Sequence, residues 1–302
     1  MVEKKQQLLG NLFREALYSS NTVPELMESF SKKISENFTS KDFLILQLAS
    51  QLYESAQIRK EAFSYMKMTA SVSSTCYNLI AENHPNLHYC TTQRFKGFLS
   101  ELYKRCDRIF DGKSPEIKDL TALRVILYEP ETQEALKTCY QIAQEAMEKF
   151  SELNCSDDFP LYVNLSVPDK LVSKSNFNPA EHPDVLLPNE DIIIPELSNL
   201  GKDYIRNPKD KGYQAYHSSY ELISKTDSKL RIFSEIQVTT IKQWKYEPAN
   251  HQEYKEERNR RWDEIFYFDE AKVHLYGYYP QYNEDSSGLT KPLYVTQRAN
   301  IL

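Results

Sequence analysis

The chain has 302 residues, a formal net charge of −6, 40% hydrophobic and 12% aromatic residues. That length allows one large domain or two modest ones with a sizeable core, and the composition excludes a disordered chain. The negative balance excludes a global basic field for nucleic acid, so any basic site has to be local.

No apolar run approaches the ~18 residues of a membrane span. The start, MVEKKQQLLG, is not followed by the apolar stretch of a secretory signal. Both features lead to the expectation of a cytosolic protein without membrane partners. The cysteines, Cys76, Cys90, Cys106, Cys139 and Cys155, are odd in number and form no CxxC, which fits free thiols in a reducing compartment.

Residues 3 to 83 read as helices. Leu8, Leu9, Leu12, Phe13, Ala16 and Leu17 form one apolar stripe. Asn21 or Thr22 can cap a second helix beginning near Pro24, and Ser40 a third that carries Phe43, Leu44, Leu48 and Leu52. These stripes are packing surface, and His84-Pro85 marks a break.

Residues 91 to 110 place Lys96, Ser100 and Lys104 at i, i+4, i+8, the spacing of one helix face, with Arg94 at its start. Two cations and a hydroxyl in a row suit a polyphosphate, although the spacing alone fits a solvated face better. Residues 116 to 129 turn into a buried strand through Val125, Ile126 and Leu127. Asp119 stands ahead of it, where a carboxylate can hold Mg²⁺ or cap a turn, and Arg124 interrupts it. Residues 131 to 150 are helical, with Leu136, Ile142, Ala143 and Met147 apolar. Residues 151 to 199 hold Pro160, Pro168, Pro179, Pro183, Pro188 and Pro195 and little periodicity, a long excursion with at most short strands.

Residues 200 to 240 concentrate the chemistry. Lys202, Arg206, Lys209 and Lys211 supply positive charge, Gly212 allows a turn or a close approach, and Tyr213, Tyr216 and His217 offer rings with polar tips. The run from Leu230 to Val238 alternates as a strand, with Ile232, Ile236 and Val238 on one side and Glu235 and Gln237 on the other. On composition alone a charged hairpin on a solvated face is the favoured reading. Residues 250 to 264 read as a charged helix, and the tyrosine-rich tail packs on the domain or makes oligomer contacts.

Taken in order, these segments resemble the synthetase domain of the RelA/SpoT family of alarmone synthetases. Arg94, Lys96, Ser100 and Lys104 reproduce its R-x-K-x3-S-x3-K, and DLTALRV at 119–125 resembles its D-x-x-x-x-R strand. KDYIRNPKDKGYQAYH at 202–217 follows K-D-Y-I-x-x-P-K-x-x-G-Y-Q-S-x-H, and EIQVTT at 235–240 follows E-[IV]-Q-[IV]-R-T. Thr239 stands where the family has arginine, and Ala215 where it has serine. No histidine is followed by aspartate, so the family's His-Asp hydrolase activity is not expected.

The resemblance implies an α+β fold, a mixed sheet flanked by helices, with a helical region at 1–85. It places the synthetase domain at 86–264, with an insertion at about 151–199, and leaves a tail at 265–302. It implies transfer of the β,γ-pyrophosphate of ATP to the 3′-hydroxyl of GDP or GTP. Arg94, Lys96, Ser100, Lys104 and Arg124 would hold ATP, and Asp119 and Glu235 would hold Mg²⁺ and carry the chemistry. Lys202, Lys209, Tyr213, His217 and Gln237 would hold the acceptor, with Tyr213 stacked on guanine. The alternatives are a toxin-type relative that modifies the 3′ end of tRNA and a non-catalytic nucleotide sensor.

Overall fold

The structure, a computed structural model, describes residues 4, 7–12, 23–165, 177–189, 192, 201–209, 212–244, 260, 262 and 295–297. The expected caps at Asn21 and Thr22, most of the helix at 250–264 and the tail tyrosines lie outside them. The chain divides into two compact units, each assembled from separate stretches.

The first unit comprises residues 1–63, 96–117 and 252–291. Residues 7–12 are helical, and the longer helices are α1 (Val23–Asn37), α2 (Phe43–Lys60) and, further along the chain, α4 (Phe98–Phe110). Helix α2 packs on both α1 and α4. The seam between α2 and α4 combines buried Leu48, Leu52, Leu102 and Cys106 with a polar line. Gln51, Ser55 and Arg59 follow one another at i, i+4, i+8 on α2, and Glu101 and Arg105 face them from α4. Arg59 Nη2 donates to Glu101 Oε2 at 2.8 Å and also to the Lys96 carbonyl just ahead of the α4 N-cap, Gly97. Arg105 Nε donates to Glu101 Oε1 at 3.0 Å, and its Nη1 reaches Glu54 at 3.0 Å. Trp262, fully buried, donates through Nε1 to Asp107 at 2.8 Å and meets the Phe110 ring edge-on.

The second unit comprises residues 64–95, 118–251 and 292–302. Helix α3 (Ala62–Asn83) belongs to it from Ser64 onward, and helix α5 (Gln133–Leu153) lies wholly within it. Its strands are β1 (Tyr89–Phe95), β2 (Thr121–Leu127), β3 (Leu161–Asn164), β4 (Lys202–Asp203), β5 (Tyr216–Ser224), β6 (Arg231–Thr240) and β7 (Val295–Gln297). They make one sheet in the order β3-β5-β6-β2-β1-β7, with β4 also paired to β5. β2 and β6 run parallel and every other pair antiparallel. The expected α+β architecture, a mixed sheet flanked by helices, is therefore present.

One expectation fails locally. Residues 91–95 are strand, not the start of a helix, so Arg94 is on β1 and Lys96 precedes α4. Tyr89, Cys90, Thr91, Thr92 and Phe95 suit a pleated strand, and β1 pairs with β2 over its whole length. The third N-terminal helix likewise begins after Asp42, not Ser40, and breaks at Glu61 before α3.

Side-chain alternation sorts the sheet into two faces. Tyr216 and Tyr220 of β5 meet α5, with the Tyr140–Tyr216 and Phe150–Tyr220 ring centroids 6.4 and 5.4 Å apart. Ile236 and Val238 of β6 and Leu123 and Val125 of β2 share that face and are fully buried. Each such side chain contributes roughly 1.5–3 kcal/mol. Helix α5 presents Leu136, Ile142, Ala143 and Phe150 to it, and the Thr132 hydroxyl caps its first turn by accepting from the Ala135 amide. Helix α3 is tied in where Tyr89 donates to the Tyr77 carbonyl and where His84 meets Glu145 of α5.

Candidate active site

The opposite face of the same sheet carries the polar residues. The register sets Lys202 beside His217, His217 beside Gln237, Ala122 beside Glu235, Arg124 beside Gln237, Arg94 beside Ala122 and Ser219 beside Glu235. Strands β4, β5, β6, β2 and β1 thus bring Lys202, His217, Glu235, Gln237, Arg124 and Arg94 onto one surface, although they span residues 94 to 237.

A hydrogen-bonded chain runs across it. Arg124 Nε donates to Gln237 Oε1 at 2.7 Å, and Gln237 Nε2 donates to Glu235 Oε1. His217 Nδ1 lies 3.4 Å from the same oxygen, and its Nε2 lies 3.1 Å from the Tyr213 hydroxyl. The arrangement assigns the neutral ring a proton on Nδ1, facing the carboxylate, and makes Nε2 the acceptor from Tyr213. Gln237, expected at the acceptor, bridges Arg124 and Glu235, which fixes the orientation of its amide.

Burial disfavours charge on Glu235. The adjacent His217, by its charge once it is protonated in acid and by its hydrogen bond, outweighs that and holds the carboxyl below its ordinary range, with Lys202 assisting and Asp119 opposing. For His217 burial dominates and lowers the pKa, against the pull of Glu235. Glu235 is therefore ionised at neutral pH. Because its folded pKa lies below the unfolded value of about 4.3, its stabilising contribution is complete above that pH and is lost as pH falls through the depressed value. Urea unfolding between roughly pH 5 and 2 should lose stability more steeply for the wild type than for Glu235→Gln. Parallel slopes would show that the site does not depress this group.

Asp119 sits in the turn leading into β2 and is close enough to act on Glu235. Among the described residues no cluster of three His, Cys, Asp or Glu side chains is placed to hold a metal. Two hard carboxylates nevertheless match Mg²⁺, which is commonly held by one or two carboxylates together with substrate phosphates and water. Gln237 and His217 both meet Glu235 through Oε1.

The loop before β5 is held from several sides. Asp203 accepts from the Ile205 and Arg206 amides and from the Tyr140 hydroxyl at 2.7 Å, and burial followed by Asp203 pushes the Tyr140 pKa up. Lys209 Nζ sits 4.6 Å from the Tyr204 ring centroid and 4.7 Å from that of Tyr213. Tyr213 is only 3% exposed. Thr239, in place of an arginine, donates its hydroxyl to the Gln214 carbonyl at 2.9 Å. The roles of Gln214, Gln243 and Glu131 escaped sequence reasoning, because their partners lie far away in the chain.

Gly201 is needed for space. A Cβ there would fall 2.2 Å from the His217 carbonyl and 2.8 Å from the Tyr216 hydroxyl. Gly201→Ala should separate β4 from β5, moving Lys202, and destabilise the protein by roughly 1–3 kcal/mol or more, as overpacking does. Thermal unfolding measures this, and an unchanged Tm would contradict it.

Lys96, Ser100 and Lys104 belong to the first unit. Ser100 and Lys104 lie one turn apart on α4, and Lys96, almost buried, precedes the helix. No described helix is long and apolar enough to cross a membrane.

No family model matches the chain, and no curated protein matches it. Among solved structures, the small alarmone synthetase 2 from Bacillus subtilis is 19% identical with a TM-score of 0.39, covering 77% of this chain and 97% of that one. A GTP pyrophosphokinase family protein from Streptococcus pneumoniae is 17% identical with a TM-score of 0.35, covering 71% of this chain and 84% of that one.

Proposed function

We propose that the protein is a pyrophosphokinase that moves the β,γ-pyrophosphate of ATP to the 3′-hydroxyl of GDP or GTP. The observation that carries this reading is the single sheet face on which Arg94, Arg124, Lys202 and His217 surround an ionised Glu235, with Asp119 acting on it. Transfer of this kind needs positioned cations and oxygens more than covalent help. In the reaction a bond forms between the 3′-oxygen and the β-phosphorus, the bond from that phosphorus to the α,β-bridging oxygen breaks, AMP leaves, and the hydroxyl proton is released.

Arg94 and Arg124 would bind donor phosphates. Asp119 and Glu235 would hold Mg²⁺, which when bound supplies charge neutralisation to the phosphates. A carboxyl held this low is a weak base, so charge placement is the main task of Glu235 and proton acceptance the lesser one. Lys202 and Lys209 would meet acceptor phosphates, His217 the ribose or phosphate, and Tyr213 the base. The donor role of Lys96, Ser100 and Lys104 rests on the sequence pattern.

Purified protein with γ-labelled ATP and GDP, GTP or tRNA tests the reading. Labelled guanosine tetra- or pentaphosphate and stoichiometric AMP are expected. Label on the tRNA 3′ end alone would replace this reading with the toxin-type reaction, and no AMP with any acceptor would leave a nucleotide sensor. Lys104→Ala should raise the KM for ATP about tenfold, the scale of one lost charge-assisted bond, with Tm unchanged. An unchanged KM would return α4 to an ordinary solvated face.

A further inference from the structure

The excursion before β4 is not an idle insertion. Residues 177–189 fold on themselves: the Phe177 and His182 rings stack 5.5 Å apart, the Asn178 side chain bonds Glu181, and the Val185 amide bonds the His182 carbonyl. The segment is then pinned at three points. At the start of α5, Gln133 Nε2 donates to the Leu187 carbonyl at 2.8 Å while its Oε1 accepts from the Asn189 amide at 3.0 Å. Lys242, beyond β6, donates to the Asp184 carbonyl at 2.8 Å and to Glu131 at 2.5 Å.

The third point is Gln214, 1% exposed. Its Nε2 donates to the Leu186 carbonyl and to the Ile205 carbonyl, each at 2.8 Å. One side-chain amide nitrogen thus spends both protons joining the segment to the 204–209 loop. The Gln214 backbone is fixed as well, its amide donating to Gln243 at 3.0 Å and its carbonyl accepting from Thr239 at 2.9 Å. Beside it Gly212 has φ +83°, and a Cβ there would fall 2.7 Å from Val185 Cγ2. This glycine serves the turn and the close approach of Val185.

We infer that residues 177–189 are a built-in brace that holds residues 204–209 and 212–214 through Gln214, making Gln133, Val185 and Gln214 positioning residues for the acceptor. The acceptor part rests on the proposed function; the brace itself does not. None of the three side chains needs to touch substrate. They act by holding Lys209 and Tyr213 where the site requires them, and they lower the ordering cost of binding.

Gln133 is the discriminating position, because it grips only the far side of the segment. Hydrogen exchange and steady-state kinetics would be compared for wild type, Gln133→Ala and Gln214→Leu. Loss of the two Gln133 bonds should speed amide exchange in 204–214 by about tenfold, beyond the 187–189 stretch it touches. It should raise the KM for the acceptor about three- to tenfold, with kcat and the KM for ATP nearly unchanged. Gln214→Leu should do the same more strongly; if it does not fold, Gln133→Ala alone decides. Faster exchange confined to 187–189 would overturn the brace. Faster exchange in 204–214 with an unchanged acceptor KM would overturn its positioning role. If the wild type transfers pyrophosphate to no acceptor, the proposed function fails, and the exchange comparison still decides the brace.

Discussion

Glu235→Gln is expected to reduce pyrophosphate transfer by about a thousandfold, more than any single cation on the sheet. The change keeps the shape of the side chain and a carbonyl oxygen toward His217, but it removes the negative charge at the centre of the face. Groups that move a proton are worth about 10² to 10⁴ in rate, and loss of a charge that neutralises or orients phosphates costs on the same scale. Because Gln237 already donates its Nε2 to Glu235 Oε1, the variant amide can still accept there, and the fold should persist. Single-turnover measurements with saturating ATP and GDP check this. A loss below about tenfold would show that Glu235 is not the central charge, and would move the chemistry to another carboxylate.

Glu101→Gln should be the most destabilising of the conservative changes, by about 3–5 kcal/mol. Glu101 is fully buried between two arginines, Arg59 at 1% and Arg105 at 6% side-chain exposure. It also accepts from the Ser55 hydroxyl at 3.2 Å. Neutralising it removes the carboxylate that the two buried guanidiniums share, while Arg105 keeps its contact with the half-exposed Glu54. Total stabilities run from about 5 to 15 kcal/mol, so a loss of this size takes a large share. The double variant Arg59→Met with Glu101→Leu removes charge on both sides and should lose less than the single one, since an apolar replacement of a buried pair is often neutral. Denaturant unfolding of the three proteins checks the order. A single variant within about 1 kcal/mol of wild type would mean that water already reaches the pair. The Arg59 bond to the Lys96 carbonyl also fixes the backbone at the entry to α4, the helix that carries Ser100 and Lys104.

The alternation of Glu235 and Gln237 against Ile236 and Val238 was legible because strand faces follow a period of two whatever the neighbours are. The α5 stripe was legible for the corresponding helical reason. The order of the motifs, with Asp119, Arg124, Lys202, His217 and Glu235 in it, carried the resemblance and so named the residues of the candidate site. The sequence by itself therefore determined most element types, the buried faces of β6 and α5 and the inventory of charged groups.

The tertiary structure decided what those groups do to one another. Residues 91–95 became strand because β2 offers β1 a partner along its full length, a non-local gain that overrides a helical spacing. Gln237 became a bridge because strand register sets Arg124 beside it, and Tyr213 became a covered ring because Lys209 folds over it. The proline-rich excursion showed little periodicity, and the described stretch 177–189 is fastened from outside by Gln133, Lys242 and Gln214, none of which is local to it. Periodicity reports contacts within a few residues. Hydrogen bonds that close over tens of residues leave no periodic trace, and in this protein they are what orient the charges of the candidate site.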